Sequence, residues 1–194
     1  HRPTAEHRSR ARYTASSTGL AIFGDPVHRR RTQARLGPQH PRLCALVHAV
    51  LERALRELGV ADSHAFFEPV VLASAAGCPA QPPHLDYDPD LLEGVAPEDL
   101  PLGAILALEG GTKLDVYGLY QARGKRLQAA IPEGAVLVFR GDLVHAGSAY
   151  DKPNVRVHAF LDSSVGACPR NMTFLVTGEG RVRGRPDPGA PTRV

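Results

Sequence analysis

The stretch from residue 133 to 162 constrains the fold of this chain most, because it contains three strand-length segments separated by turns. Residues 135–139 form a nearly unbroken apolar run, and Arg140-Gly141-Asp142 supplies turn-forming residues. Residues 143–147 form a second short run, and residues 155–161 alternate between apolar and polar or aromatic side chains. The stretch therefore predicts three consecutive strands.

Two of these predicted strands carry polar side chains that can bind a metal or an anion. His145 lies in the second run, and in the third Arg156 and His158 point to the side opposite the apolar residues. Upstream, a pair of prolines keeps the chain extended, so that His84 and Asp86, two positions apart, point to the same side. Two imidazoles and one carboxylate on one face bind Fe(II) and leave coordination positions open for chemistry.

In order and spacing these residues resemble the 2-oxoglutarate/Fe(II)-dependent dioxygenases, with H-x-D at 84–86, a distal His145, and Arg156 eleven residues later. The spacing of His145 and Arg156 is similar to that in the phytanoyl-CoA hydroxylase-like branch. The resemblance covers about residues 66–162. It implies a mainly β fold, the double-stranded β-helix or jelly roll, with one or more flanking helices.

The resemblance also implies a site and a reaction. His84, Asp86 and His145 would be the catalytic residues that hold Fe(II), with 2-oxoglutarate and O2 as cosubstrates. Arg156 would clamp the distal carboxylate of 2-oxoglutarate with two parallel hydrogen bonds, which lysine cannot reproduce. The implied reaction decarboxylates 2-oxoglutarate to succinate and CO2 and hydroxylates a substrate carbon, with loss of a group where that carbon carries a heteroatom.

Further side chains are candidates for the cosubstrate site. His158, on the same predicted face as Arg156, either supports the distal carboxylate or is a hydrogen-bonded core histidine. Thr112, Tyr117 and Ser148 are hydroxyl-bearing residues near the site in sequence order, and Thr112 and Ser148 are expected to contribute to cosubstrate binding. The sequence does not decide which hydroxyl completes the contact.

Alternative interpretations remain open at this point. A chain with nine histidines contains an H-x-D by chance quite often, and Arg156 could form a surface salt bridge. A cupin-like metalloenzyme that does not use 2-oxoglutarate is a second enzyme class, although Asp86 stands where cupins usually place a second histidine. A dioxygenase that oxidises nucleic-acid bases and a jelly-roll binding module without activity are further alternatives.

The whole chain fits one domain over residues 1–194, with a core at about residues 66–162 and loose basic ends. Arginines cluster within the first 35 residues, including Arg29-Arg30-Arg31, and again after residue 180. Such ends can bind nucleic acid, but no aromatic residues interleave with them, which favours solvated arginines. No run reaches the roughly 18 apolar residues of a membrane span.

Three cysteines, at 44, 78 and 168, have no metal-type spacing and are expected to be free thiols, which favours an intracellular, reducing compartment. The sequence starts at His1, so removal of a leader stays open. The primary substrate and the oligomeric state cannot be assigned from the sequence.

The remaining elements are predicted from periodicity and turn residues. Apolar residues at helical spacing predict one helix from Pro41 to Gly59 that packs on the outside of a sheet. Residues 27–40 are basic, and no regular structure is predicted for them. The pattern predicts a hairpin of residues 102–108 and 113–117 with its turn at Glu109-Gly110-Gly111. It also predicts an edge strand at residues 172–176. The acidic, proline-containing segment 88–101 follows two proposed ligands and is a candidate lid.

Overall fold

The computed structural model describes residues 10–12, 20–21, 30–36, 40–120, 122–163 and 172–176. Strands in this part of the chain form two six-stranded sheets, and the paired neighbours are antiparallel. The first sheet contains, in spatial order, β1 (Arg10–Arg12), β12 (Met172–Leu175), β5 (His84–Leu85), β10 (Leu143–Gly147), β7 (Thr112–Leu119) and β8 (Ala122–Ile131). The second contains β2 (Leu20–Ala21), β3 (Arg31–Arg35), β4 (His64–Ser74), β11 (Asn154–Ser163), β6 (Leu102–Ala107) and β9 (Val136–Arg140). The protein is thus mainly β, as predicted for a jelly roll.

The predicted helix is present as α1 (Pro41–Leu58), and a second, short helix is α2 (Pro89–Leu92). Pro41 occupies the first turn of α1, and Gly59 ends it with a φ of 73°, a conformation that glycine adopts at little cost. Three buried residues of α1, Val47, Leu51 and Leu55, pack against the second sheet. The predicted position outside a sheet is therefore confirmed.

The buried stripe of α1 is narrower than the sequence pattern predicts. Leu43, Leu46 and Leu58 follow the helical spacing, but they are 39%, 62% and 57% exposed. His48 also lies on the exposed side of α1.

Strand β11 lies between β4 and β6 in the second sheet and is buried on both faces. Val157, Ala159 and Leu161 pack with the α1 residues in one hydrophobic core. The alternation of a strand then turns Arg156 and His158 towards the opposite face, which faces the first sheet. The predicted alternation of this strand is confirmed, and it places two polar side chains between the sheets.

Two predicted connections are wrong. The segments 102–108 and 113–117 do not form a hairpin, because β6 pairs with β9 and β11 whereas β7 pairs with β8 and β10. The glycine-containing turn at 109–111 instead carries the chain from one sheet to the other. Strand β12 is not an edge strand, because it lies between β1 and β5.

The segment 27–40 is not irregular throughout, because β3 pairs along β4 with Arg31 opposite Ser74. Its sequence, RTQAR, has no apolar alternation, and it forms a strand by pairing along one edge of β4. Residues 27–29 and 37–39 lie outside the described residues.

The candidate lid at 88–101 begins with α2 and is anchored at two points. Leu92 and Leu100 are buried with Tyr87 in a small hydrophobic cluster, and residues 97–99 between them are exposed. Its mobility stays a prediction. Cys44 and Cys78 are thiols and not half of a disulfide bond, and Cys168 lies outside the described residues. Within the described ranges, no helix combines the length and apolar character needed to cross a membrane.

Candidate metal centre

The predicted H-x-D and the distal histidine come together in the first sheet. Strands β5 and β10 are neighbours, and their register sets His84 directly opposite His145. The two imidazole rings lie 4.6 Å apart between centroids. Asp86 follows β5, and one ligand atom from each of the three buried side chains lies within 4.8 Å of the others. This is the spacing that one metal ion requires.

Backbone carbonyls fix the orientation of both imidazoles. Nδ1 of His84 lies 2.8 Å from the carbonyl oxygen of Pro82, and Nδ1 of His145 lies 3.0 Å from that of Leu143. Since a carbonyl can only accept, both Nδ1 atoms must donate, and the Nε2 lone pair is left for a metal. The Nε2 atoms face Asp86, at 3.8 Å for His84 and 3.3 Å for His145. This donor set fits a divalent ion such as Fe(II).

The electrostatics of the three side chains follow from their burial and proximity. Burial, together with the charge of His145, lowers the pKa of His84 to about 4, so this imidazole is neutral at neutral pH. Burial alone would raise the pKa of Asp86, but His145 and His158 outweigh it and hold that pKa well below its usual value. Burial would lower the pKa of His145, but Asp86 outweighs it and the pKa is raised.

His158 reaches the same carboxylate from the other sheet. Its Nε2 lies 3.3 Å from Oδ2 of Asp86, and within the described part of the chain this nitrogen makes no hydrogen bond of good geometry. Phe139 lies parallel to the His158 ring at 6.3 Å, and Phe160 meets the same ring edge-on at 4.6 Å. The structure therefore places His158 beside a proposed ligand, and its predicted contact with the cosubstrate stays a prediction.

Arg156 is buried near this centre. It is 3% exposed, and its Nη1 donates to Oγ of Ser74 at 3.1 Å. The guanidinium also lies 5.2 Å from the centre of the Tyr150 ring, within the range of a cation–π contact. Burial lowers its pKa from the ordinary arginine value. In the ranges that the structure describes, no carboxylate contacts Arg156. The alternative in which Arg156 forms a surface salt bridge is therefore wrong for these ranges.

The two hydroxyls predicted for the cosubstrate site are engaged elsewhere. Oγ1 of Thr112 donates to the carbonyl of Glu109 at 2.8 Å and accepts from Nδ2 of Asn154 at 3.0 Å. Oγ of Ser148 donates to Oδ1 of Asp115 at 2.7 Å. Contacts of Thr112 and Ser148 with a cosubstrate stay predictions.

Sequence reasoning missed Arg31 and Ser74. Arg31 was counted among solvated arginines, but it is 1% exposed and donates from Nη1 to Oγ of Ser74 at 3.2 Å. The run of three arginines contains no signal that singles out the third, since its burial follows from the pairing of β3 with β4. Ser74, at the end of β4, carries no motif.

Comparisons with solved structures identify the fold. The chain is similar to a prolyl-4-hydroxylase of Pseudomonas putida, at 15% identity and a TM-score of 0.52, over 69% of this chain and 72% of that one. It is similar to a 2OG-Fe(II) oxygenase family oxidoreductase of Burkholderia pseudomallei, at 16% identity and a TM-score of 0.52, over 75% and 74%.

A third similar structure is the non-haem α-ketoglutarate-dependent epimerase SnoN from nogalamycin biosynthesis, at 14% identity and a TM-score of 0.51, over 79% of this chain and 70% of that one. At these identities the likeness establishes a shared fold and nothing finer. No protein-family model matches the chain, and no curated protein sequence matches it.

Proposed function

We propose that this protein is an Fe(II)- and 2-oxoglutarate-dependent oxygenase that hydroxylates, or removes a group by oxidising, a C–H bond of its substrate. One observation carries the proposal: a buried His84–Asp86–His145 cluster faces a strand that carries a buried arginine without a carboxylate contact among the described residues. The metal would be held by the cluster, and the cosubstrate's distal carboxylate by Arg156.

The spacing along β11 supports this division of roles. His158 lies beside Asp86, and Arg156 is two residues away on the same face of the strand. Two residues of a strand advance the chain by about 6.7 Å. The backbone positions of Arg156 and His158 are therefore separated by roughly the length of a short dicarboxylic acid.

The chain's own residues have defined tasks in such a reaction. Bound Fe(II) would supply the redox chemistry that couples oxidative decarboxylation of 2-oxoglutarate to oxidation of the substrate. Asp86 is ionised and His84 is neutral at neutral pH, so neither has to lose a proton before it binds metal. Phe139, whose ring lies 4.8 Å from that of His145, would shield one side of the centre from water.

The test is the formation of succinate from 2-oxoglutarate, with Fe(II) and O2, in the presence of candidate substrates. The panel should include prolyl peptides, because one similar structure is a prolyl-4-hydroxylase, together with methylated nucleic-acid bases and small hydroxylatable metabolites. Metal-dependent binding of 2-oxoglutarate, measured by calorimetry with Mn(II) in place of iron, tests the cosubstrate without knowledge of the substrate. Failure to bind 2-oxoglutarate with any divalent metal contradicts the proposal.

One observation favours a second candidate, a cupin-like metalloenzyme that does not use 2-oxoglutarate. His158 offers a third imidazole nitrogen next to Asp86. Three histidines and one carboxylate would fill more coordination positions and leave less room for a bidentate 2-oxo acid. A metal that binds normally in a protein that does not bind 2-oxoglutarate would favour this candidate.

A further inference from the structure

Strand β11 carries an aromatic residue on the side of the metal centre that lies away from Arg156. Arg156, His158 and Phe160 follow one another on the inward face of this strand, because side chains alternate. His158 lies beside Asp86, so the metal centre is level with the middle residue of the three. Phe160 meets the His158 ring edge-on at 4.6 Å and is partly exposed. Beyond the metal, this strand therefore presents carbon rather than charge.

The strand register extends this apolar surface across the second sheet. Phe160 lies opposite Gly103 of β6, and Gly103 lies opposite Phe139 of β9. A Cβ atom at residue 103 would come within 2.4 Å of the Phe139 ring. The Phe139 ring thus occupies the space that the side chain of any other residue at 103 would need.

Phe139 connects this surface to the metal centre, and the first sheet adds to it. The Phe139 ring lies 4.8 Å from that of His145 and is almost parallel to that of His158. Leu143, two residues before His145 on β10, packs against the hydrophobic cluster that contains Phe139 and is partly exposed. Both sheets therefore place apolar side chains next to the metal ligands.

Polar side chains near this end of the strands already have partners. Arg140 pairs with Asp142 at 2.7 Å between Nη2 and Oδ2. The hydroxyl of Tyr87 donates to the carbonyl of Leu102 at 2.9 Å and accepts from the backbone N–H of Leu161 at 3.1 Å. These groups are thus engaged within the protein and are poorly placed to bind a polar substrate group beside the metal.

The nearest charge on the inward face of β11 beyond Phe160 is Asp162. Its Oδ1 lies 3.5 Å from the hydroxyl of Tyr87, two residues further from the metal than Phe160. Burial of a charged group against the aromatic rings would cost free energy without a partner to compensate it, whereas an apolar group gains free energy when it leaves water. The surface beside the metal therefore favours an uncharged, apolar group.

We propose that Gly103, Phe139, Leu143 and Phe160 form an apolar recess beside the metal, and that this recess binds an uncharged, apolar group of the substrate next to the oxidised C–H bond. The inference rests on the proposed function, since it names the class of substrate for the same site. Gly103 sets the shape of the recess, because a larger residue there would have to displace the Phe139 ring.

The test uses two probes with the same carbon chain, hexan-1-ol and hexylammonium, which differ in charge. The protein is loaded with Mn(II) and 2-oxoglutarate, and the NMR relaxation of the probe's methyl protons reports binding close to the paramagnetic metal. The same protein loaded with Mg(II) is the diamagnetic reference. The variants are Phe160→Gln, Phe160→Leu and Gly103→Ala. Leu46→Gln is the matched control, because Leu46 is a leucine of α1 that is 62% exposed.

Hexan-1-ol should show saturable relaxation in wild type and bind at least about tenfold more tightly than hexylammonium. Phe160→Gln should weaken hexan-1-ol by about fivefold or more, whereas Phe160→Leu should keep most of the affinity because it stays apolar. Gly103→Ala should also weaken hexan-1-ol, because the Phe139 ring has to move. Leu46→Gln should match wild type. Calorimetry should show unchanged Mn(II) and 2-oxoglutarate affinities in all four variants.

Equal affinities for the two probes in wild type, or unchanged hexan-1-ol binding in Phe160→Gln, would overturn the inference. Equal losses of hexan-1-ol and 2-oxoglutarate affinity in a folded Phe160→Gln would show a merely structural role and overturn it as well. If Phe160→Gln does not fold, Leu143→Gln decides by the same comparison. A wild type that binds Mn(II) and 2-oxoglutarate without relaxing hexan-1-ol contradicts this inference alone. A wild type that does not bind 2-oxoglutarate with any divalent metal contradicts the proposed function itself.

Discussion

The Nε2 atoms of His145 and His158 lie at the same distance, 3.3 Å, from a single oxygen of Asp86. The two histidines belong to different sheets, since β10 is in the first sheet and β11 in the second. Asp86 is therefore the point at which the two halves of the fold meet in the candidate site.

Replacing any one of the three proposed ligands should abolish turnover. His84→Ala, Asp86→Ala and His145→Ala each remove a ligand from a three-ligand site, whereas the hydrophobic clusters that hold the fold do not include these side chains. Succinate release with added Fe(II) measures activity, and thermal melting checks folding. His48→Ala, on the exposed side of α1, is the control. Wild-type activity in any of these three variants would contradict the assignment of the metal ligands.

Arg156→Ala should weaken 2-oxoglutarate binding by at least about tenfold, because it removes charged hydrogen bonds to the distal carboxylate. Iron affinity should hardly change, since arginine is not a ligand. Arg156→Lys should restore only part of the affinity, because an ammonium lacks the planar fork. A titration of 2-oxoglutarate at saturating metal checks this, with exposed Arg35→Ala as control. Equal affinities throughout would remove Arg156 from the site.

His158→Ala should weaken metal binding by about 10- to 100-fold if His158 orients Asp86 or joins the metal, as is typical of groups that support ligands. His158→Gln retains a hydrogen-bond donor near the carboxylate of Asp86, so it should lose less metal affinity than His158→Ala. Metal titration and 2-oxoglutarate titration are both needed. Unchanged metal affinity with weaker 2-oxoglutarate binding would instead support the predicted contact between His158 and the cosubstrate.

Asp115 should stabilise the fold in a pH-dependent way. Burial would raise its pKa, but hydrogen bonds from Gln128 and Ser148 and the charge of Arg126 outweigh it, and the pKa is lowered. A lowered pKa contributes stability above the unfolded value of about 3.9 that is lost as pH falls towards the folded value. Asp115→Asn should therefore cost more free energy of unfolding at pH 7 than at pH 3, measured by urea denaturation. An equal cost at both pH values, with exposed Asp62→Asn as control, would contradict this.

The candidate lid at 88–101 is held by two buried leucines. Leu92 and Leu100 are buried, so the segment between them should move about these two anchors. Without substrate, amide hydrogens at 93–99 should exchange much faster than those of β6, and they should become protected when substrate binds. Exchange at 93–99 as slow as in the strands of the substrate-free protein would exclude a lid.

The sequence was sufficient for the parts of the site that local rules determine. His84 and Asp86 share a side because an extended chain alternates. That His145 joins them was implied by the family resemblance, and in the structure it follows from the pairing of β10 with β5. Arg156 was placed by the same alternation. The alternation along each strand needed no knowledge of which strands are neighbours in space.

Long-range pairing explains what the sequence did not reveal. Arg31 looks like Arg29 and Arg30 in the sequence, and it is buried only because β3 lies along β4 with Arg31 opposite Ser74. The turn at 109–111 looks like a hairpin turn, but the strands that flank it find better partners in separate sheets. Both outcomes depend on contacts between residues far apart in the chain.

The position of the two halves of the site has a consequence for the stability of the whole molecule. The metal ligands belong to β5 and β10, or follow them, whereas Arg31, Ser74 and Arg156 belong to β3, β4 and β11 of the opposite sheet. Under the proposed function, a dicarboxylate would contact residues of both sheets, and the sheets could not separate without releasing it. At a hundredfold excess over its dissociation constant, such a ligand adds about 2.7 kcal/mol to the free energy of unfolding. The concentration of that small acid would then change the fraction of the chain that is folded as well as its rate of turnover.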